Sequence, residues 1–308
     1  MNARPTFEEV IEAQNFFALP TPVLVEKDWY VVQALAAIAK IDSSPFQLVF
    51  GGGTSLSRAH RLIQRMSEDI DLKIVGKEDP TRGELRKLRA LVTEALLAAG
   101  FSFDPENRYN RDSKNENRYT IFRLPYEPLS EGQGILRPEI QIEIALWPLR
   151  QPAESLSITS FINDAFGRSP ELEALACVSV AQTAAEKFVA LTRRVAKERN
   201  MPHQERDPTL VRHIYDLQIL RPHYDLASVA ELAKAIMPHD AEIFGQHFHE
   251  YRVDSFSETQ HAIEALESDP HYGSVYDDFQ RDMVYGSKVD FIDGVGLLRE
   301  VLLCIAID

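Results

Sequence analysis

Between residues 48 and 72 the chain places an apolar run, three glycines, a short amphipathic stretch and then two aspartates one residue apart. Few folds accommodate that order. Leu48-Val49-Phe50 is apolar and ends in glycine, as a buried strand does. Gly51-Gly52-Gly53 permit backbone angles closed to other residues and let another group approach the chain closely. Thr54 and Ser55 stand where a helix cap is expected, ahead of a helix over 54–65 carrying Leu56, Ala59, Leu62 and Ile63. Ser67-Glu68-Asp69-Ile70-Asp71-Leu72 then opens a strand over 69–75. Alternate side chains of a strand share a face, so Asp69 and Asp71 point one way and Ile70 and Leu72 point into the core.

The chemistry follows from these types. Amides at a helix start attract phosphate. Two neighbouring carboxylates repel unless a cation lies between them, and hard oxygen donors suit Mg²⁺. Gly52, Gly53, Thr54 and Ser55 are therefore candidates for binding the phosphates of a nucleoside triphosphate (NTP). Asp69 and Asp71 are the candidates for metal, with two ions expected. A two-metal site needs a third acid from a neighbouring strand. The clearest strand pattern, 139–146, sets Ile140, Ile142, Ile144 and Leu146 on one face and Glu139, Gln141 and Glu143 on the other. Glu143 is the expected third ligand; Glu139, at the strand's start, is its competitor.

At 308 residues the chain has room for two domains and a sizeable core. No apolar run is long enough to span a membrane, and the first residues lack a signal-peptide layout. Two distant cysteines, Cys177 and Cys304, argue against a disulfide framework or a Cys-based zinc site and for a cytoplasmic protein. His247 and His249, the closest histidine pair, have no further zinc ligands around them. The net charge of −14 is unevenly spread: 225–308 hold 17 acidic and 5 basic residues, leaving only −2 on the first 224. Residues 186–212 carry seven Lys and Arg against four Asp and Glu, which keeps an RNA partner open.

Thr6-Phe7-Glu8-Glu9 reads as a capping box. Helices are expected over 22–41 and 82–99, and strands over 101–103, 119–124 and 156–158, with a polar loop or hairpin at 104–117. From residue 172 onward the pattern is almost wholly helical. The expected division is a mixed-sheet domain over 1–168 and a helical domain over 169–308. In the helix expected over 178–199, Lys187 and Arg194 are seven apart and so share a face about 10 Å apart. Two cations at that distance suit a triphosphate or an RNA backbone. Arg212 and Asp216 have the spacing of an intrahelical salt bridge.

Gly52-Gly53-Thr54-Ser55-Leu56-Ser57, Ser67-Glu68-Asp69-Ile70-Asp71-Leu72, Ala185-Glu186-Lys187 with Arg194, and Tyr215-Asp216-Leu217 together resemble the AbiEii/AbiGii toxin family. Its members are nucleotidyltransferase-like proteins of bacterial toxin–antitoxin and abortive-infection systems. Glu26-Lys27-Asp28-Trp29 is similar to the family's opening helix, and 278–286 to a tail segment of some members. The resemblance implies an α/β fold like the DNA polymerase beta-type nucleotidyltransferases, with a mixed sheet and a mainly helical C-terminal domain. It implies metal at Asp69 and Asp71, phosphates at Gly53 and Ser55, nucleotide at Lys187 and a catalytic role for Asp216. Characterised members are reported to add nucleotides to tRNA ends or to bind GTP. Arg58 departs from the family's usual lysine, Lys187-Phe188 from its Lys-Leu, and Arg212-His213-Ile214-Tyr215 from its Arg-x-Lys-Asp.

The expected activity is Mg²⁺-dependent transfer of a nucleotidyl group from an NTP to an RNA such as tRNA, by the toxin of a two-component system with a cognate antitoxin. A protein or small-molecule acceptor is the second enzyme reading. The third is a non-catalytic nucleotide-binding module, its acidic C-terminal region docking a basic antitoxin.

Overall fold

A computed structural model describes residues 1–67, 69–129, 137–245 and 248–307. Glu68 of the aspartate motif and His247 lie outside the described residues. The chain forms two compact units: Met1–Arg61 with Met66–Val178, and Leu62–Arg65 with Ser179–Asp308. No described helix is long and apolar enough to cross a membrane.

The first unit is a mixed sheet with helices. Helix α1 (Phe7–Phe16) starts at the expected capping box, in which Thr6 and Glu9 each bond the other's backbone amide. Helix α2 (Pro22–Ile38) starts from Thr21 with proline at its first position, where the missing N–H costs nothing. Then come β1 (Gln47–Gly51), α3 (Gly52–Arg58), β2 (Asp69–Val75), α4 (Arg82–Ala98), β3 (Arg111–Lys114), β4 (Tyr119–Pro125), β5 (Glu139–Leu146), β6 (Glu154–Ile158), α5 (Phe161–Ala165) and β7 (Leu172–Cys177). The seven strands lie in the order β3-β4-β5-β2-β1-β7-β6. Strands β2 and β5 run parallel at the centre, so the chain between them must cross over, and it does so through α4 and the β3–β4 hairpin.

Binary patterning accounts for the layers. Ile70, Leu72 and Ile74 of β2 and Ile140, Ile142 and Ile144 of β5 are all buried, as are Phe122 and Leu124 of β4. Helix α2 packs on β2, β5 and α4 and is buried nearly all round, which fits its lack of a polar face. The opposite face of these strands carries the polar alternates.

Two local expectations fail. Residues 101–103 form no strand: Phe101 is buried beside Tyr30 and Phe103 packs edge-on to Phe122, without a ladder partner. The polar stretch after it is a hairpin arm, one of the two expected forms: it holds β3, paired antiparallel with β4. Residues 172–177 are strand β7 rather than helix, paired with β6 and touching β1 at Phe50–Cys177.

The second unit is helical: α6 (Val180–Asn200), α7 (Arg212–Leu220), α8 (Leu226–Phe244), α9 (His249–Val253), α10 (Ser255–Ser268), α11 (Pro270–Met283) and α12 (Phe291–Ile307). Helix α6 is its hub, packing on α7, α8 and α10 with Ala184, Ala185, Phe188, Leu191 and Val195 buried. Residues 62–65, from the loop before β2, join this unit: Arg65 bridges Val284, and the Gln64 carbonyl accepts from the amides of Tyr285 and Gly286.

Candidate active site

Helix α3 begins two residues earlier than its sequence suggests. Gly51 is its cap and contributes no side-chain bond, so Thr54 and Ser55 are inside the helix rather than capping it. It also ends at Arg58, short of the expected 65. The glycines make the early start feasible. Gly52 has φ +71°, and a Cβ there would lie 1.8 Å from Oδ2 of Asp71. Only glycine satisfies both demands. Thr54, freed from capping, donates through Oγ1 to the Asp69 carbonyl at 2.5 Å and shares a 3.0 Å bond with Ser67 Oγ. It ties the helix start to the first residue of β2. Ser55 is 1% exposed, its hydroxyl beside the Cys177 thiol; burial pushes that thiol up to about 12.

Register sets out the carboxylates. Asp69 pairs with Gln141 and Asp71 with Glu143 across the parallel β2–β5 ladder. Paired residues share a face, so Asp69, Asp71 and Glu143 lie together on the polar side of the central strands, all half-buried. Glu143 is held from two directions: Gln141 Nε2 donates to Oε1 at 2.9 Å, and the Tyr119 phenol bonds it as well. Burial first, then Glu143, raises the Tyr119 pKa, so this phenol stays a donor. Glu139 stands one pair beyond the Asp69 row, engaged by Tyr109 Oη at 2.8 Å and by Arg137 at 3.9 Å. Among the described residues no three or more His, Cys, Asp or Glu stand together closely enough to hold a metal ion. In donor chemistry, though not in spacing, the set suits Mg²⁺: three hard carboxylates on one sheet face, with Asp71 set against a glycine whose missing side chain makes the space.

Sequence reasoning missed Lys73 on this face. It follows Asp69 and Asp71 in the same alternation, which was the signal, and its ammonium lies 5.9 Å over the Trp147 ring. Arg58, standing in for the family's lysine, is 3.4 Å from Asp28 with its guanidinium 3.7 Å over Phe161. Burial raises Asp28 to about 6, against the pull of Arg58 and of the Phe161 amide.

The second unit gathers the remaining candidates. Asp216 is fully buried, 2.6 Å from Lys187 Nζ and held by Arg65 through two bonds of 2.6 Å. Burial opposes its charge, but the two cations win and depress its pKa. Spacing pointed to Arg212 as the partner of Asp216. The bidentate partner is instead Arg65, 151 residues away in a loop with no periodicity to announce it. Burial and Arg65 pull the Lys187 pKa down while Asp216 pulls it up. Arg194 pairs with Asp207 at 3.1 Å, so it and Lys187 have separate acidic partners. His213 stays neutral, its pKa lowered well below the usual value by burial and then by Lys187, Arg212 and Arg194. Among the strongest influences on His213, three cations face a single acid, Asp216.

A glycine turn that opens a helix, followed by alternating strand aspartates with a third acid in register, is the layout of a nucleotidyltransferase. The chain belongs to the nucleotidyl transferase AbiEii toxin family of type IV toxin–antitoxin systems, whose model matches residues 33–292. No curated protein matches it. Among solved structures it is similar to MenT4, a nucleotidyltransferase toxin of Mycobacterium tuberculosis, with a TM-score of 0.54, 18% identity and coverage of 97% of this chain and 98% of that one. At that identity the likeness speaks for the fold, a mixed sheet followed by a helical part.

Proposed function

We propose that this nucleotidyltransferase toxin moves a nucleoside monophosphate from an NTP onto an RNA, with the 3′ end of a tRNA as acceptor, inside the cytoplasm and under control of a cognate antitoxin. The pairing of Asp71 with Glu143 beside the glycine turn carries the reading. Asp69, Asp71 and Glu143 would hold two Mg²⁺ ions, which when bound lower the pKa of the attacking hydroxyl and stabilise the leaving pyrophosphate. Gly52 and Gly53 let the β- and γ-phosphates approach the backbone, where a side chain would exclude them. Gln141 and Tyr119 fix the Glu143 carboxylate so that it need not reorganise as the acceptor hydroxyl arrives. The family resemblance adds Lys187 as a nucleotide contact and Asp216 as its partner. The excess of cations around them supports that addition, and Arg194 belongs to the same field.

Incubation with labelled NTPs, Mg²⁺ and total tRNA tests the reading. Label is expected on RNA and is expected to vanish in the Asp69→Ala, Asp71→Ala double variant. Transfer that survives the double variant sinks the mechanism; label on protein moves the acceptor to another class.

A further inference from the structure

The polar face of the sheet extends beyond the carboxylates. Across it the rows run Asp69–Gln141–Arg123 and Asp71–Glu143–Ile121, from β2 through β5 to β4. The glycine turn lies on the other side of β2, because Gly51 of β1 pairs with Asp71. Phosphates held at the turn would put the leaving pyrophosphate on the β1 side of the carboxylates. In-line displacement brings the attacking hydroxyl from the opposite side of the α-phosphorus. The acceptor must then arrive over β5 and β4.

That approach holds a locked aromatic. Tyr109 is 53% exposed, an unusual state for a large ring, yet it is fixed at several points. Its hydroxyl donates to Glu139 Oε2 at 2.8 Å, and its amide donates to Asn107 Oδ1 at 2.9 Å. The Arg123 guanidinium lies 5.2 Å from the ring centroid and donates through Nη1 to the Tyr109 carbonyl at 3.0 Å. Asn110 clamps the next residue to both backbone groups of Arg123: the Asn110 carbonyl accepts from the Arg123 amide at 2.7 Å, and Asn110 Nδ2 donates to the Arg123 carbonyl at 3.1 Å. An exposed ring without such ties would rotate freely. This one is a pre-set planar surface just before β3, carrying the guanidinium of Arg123 from β4, a strand two spacings or about 10 Å from that of Asp69. Stacking platforms for single-stranded nucleic acid combine these two parts, a π face for a base and a guanidinium for the backbone.

We propose that Tyr109 and Arg123 grip the acceptor: the ring stacks a nucleobase near the 3′ end of a single-stranded RNA, and the guanidinium meets its phosphate. The inference rests on the nucleotidyl-transfer reading and names the acceptor half of that site. It commits to RNA, because a protein acceptor has no need of an exposed ring paired with a cation along the line of attack.

The test is fluorescence anisotropy with a labelled single-stranded RNA oligomer bearing a free 3′ hydroxyl, run beside the transfer assay. Both start from the Asp69→Asn, Asp71→Asn protein for binding and the intact protein for transfer. Tyr109→Ala is expected to weaken RNA binding about 10-fold, the loss of one base stack, while Tyr109→Phe retains most of it. Arg123→Gln is expected to reduce the dependence of log affinity on log salt by about 0.7, the share of one phosphate on a single strand. In transfer, both raise KM for RNA and leave KM for NTP unchanged. RNA binding and transfer that are indifferent to Tyr109→Ala and Arg123→Gln overturn the grip while the transfer reading stands. Binding lost in these variants, with no transfer by the intact protein, upholds the grip and overturns the transfer reading. An intact protein that labels a protein acceptor and binds no RNA overturns both.

Discussion

Two acidic regions of this chain solve the same electrostatic problem in opposite ways. On the sheet, Asp69, Asp71 and Glu143 are held half-buried on one face, with like charges side by side in register. In the helical unit Asp216 is sealed from solvent and neutralised by Arg65 and Lys187 at 2.6 Å. The first arrangement sets like charges in adjacent register positions, with neutral donors on Glu143; the second encloses its acid between two cations. Like charges gathered in register suit a cationic ligand, whereas an acid enclosed between two cations is already charge-balanced when the chain folds.

The sharpest way to break that contrast is to neutralise each region in turn. Asp69→Asn with Asp71→Asn is expected to lower transfer by at least about 10³-fold if the two residues hold metal as proposed. The melting temperature should hold or rise, since repulsion is relieved; a large fall would show that these residues serve the fold. Asp216→Ala should do the reverse in thermal or urea unfolding, costing about 3–5 kcal/mol by leaving two cations buried without their anion. A loss within about 0.5 kcal/mol would show that the buried trio contributes nothing to folding.

The pH dependence gives a second separation. Asp216 has a folded pKa below its unfolded one, so its contribution is present above the usual carboxylate range and is lost as pH falls through it. Asp28 is raised to about 6, so its contribution has the other sign: full below about 4 and lost as pH rises through 6. Asp28→Asn should therefore flatten the stability–pH curve between about 4 and 6 by up to about 3 kcal/mol. A curve unchanged by the substitution would remove Asp28 as the source. The smallest effect is expected from Tyr119→Phe, which takes one donor from Glu143. Transfer should fall less than about 10-fold, with stability changed by about 1 kcal/mol or less. A loss as deep as that of the aspartates would promote the phenol to a direct part in the chemistry.

The legible parts of the chain are those where one side-chain pattern carries the whole message. Strands β2 and β5 are legible at 69–75 and 139–146 because apolar residues alternate with polar ones along most of their length. The two capping boxes of α1 and α4 sit in the sequence as Thr-x-x-Glu. Strand β7 was hidden because Leu-Glu-Ala-Leu-Ala is made of helix formers, and pairing with β6 overrides their propensity. Strand β3 is four polar residues held by backbone bonds. In the candidate site, the neighbours Asp69 and Asp71 could be read, as could the face of Glu143. The pairing of Glu143 with Asp71 could not, since strand register depends on the crossover between them. The Arg65–Asp216 bond was beyond reach for the same reason: nothing local links residues so far apart.

The four residues 62–65 separate the glycine turn from the aspartate strand in sequence, yet they belong with the helices. A gene divided after codon 178 would therefore not encode two self-sufficient halves. The C-terminal fragment would lack the guanidinium that neutralises its interior aspartate, and the N-terminal fragment would carry that guanidinium without a counter-ion. Split-reporter schemes, fragment complementation and chimaeras grafting the helices of one family member onto the sheet of another all meet this obstacle. A working chimaera must carry the short insert with its helical donor, so inheritance between the two halves is staggered rather than cut clean.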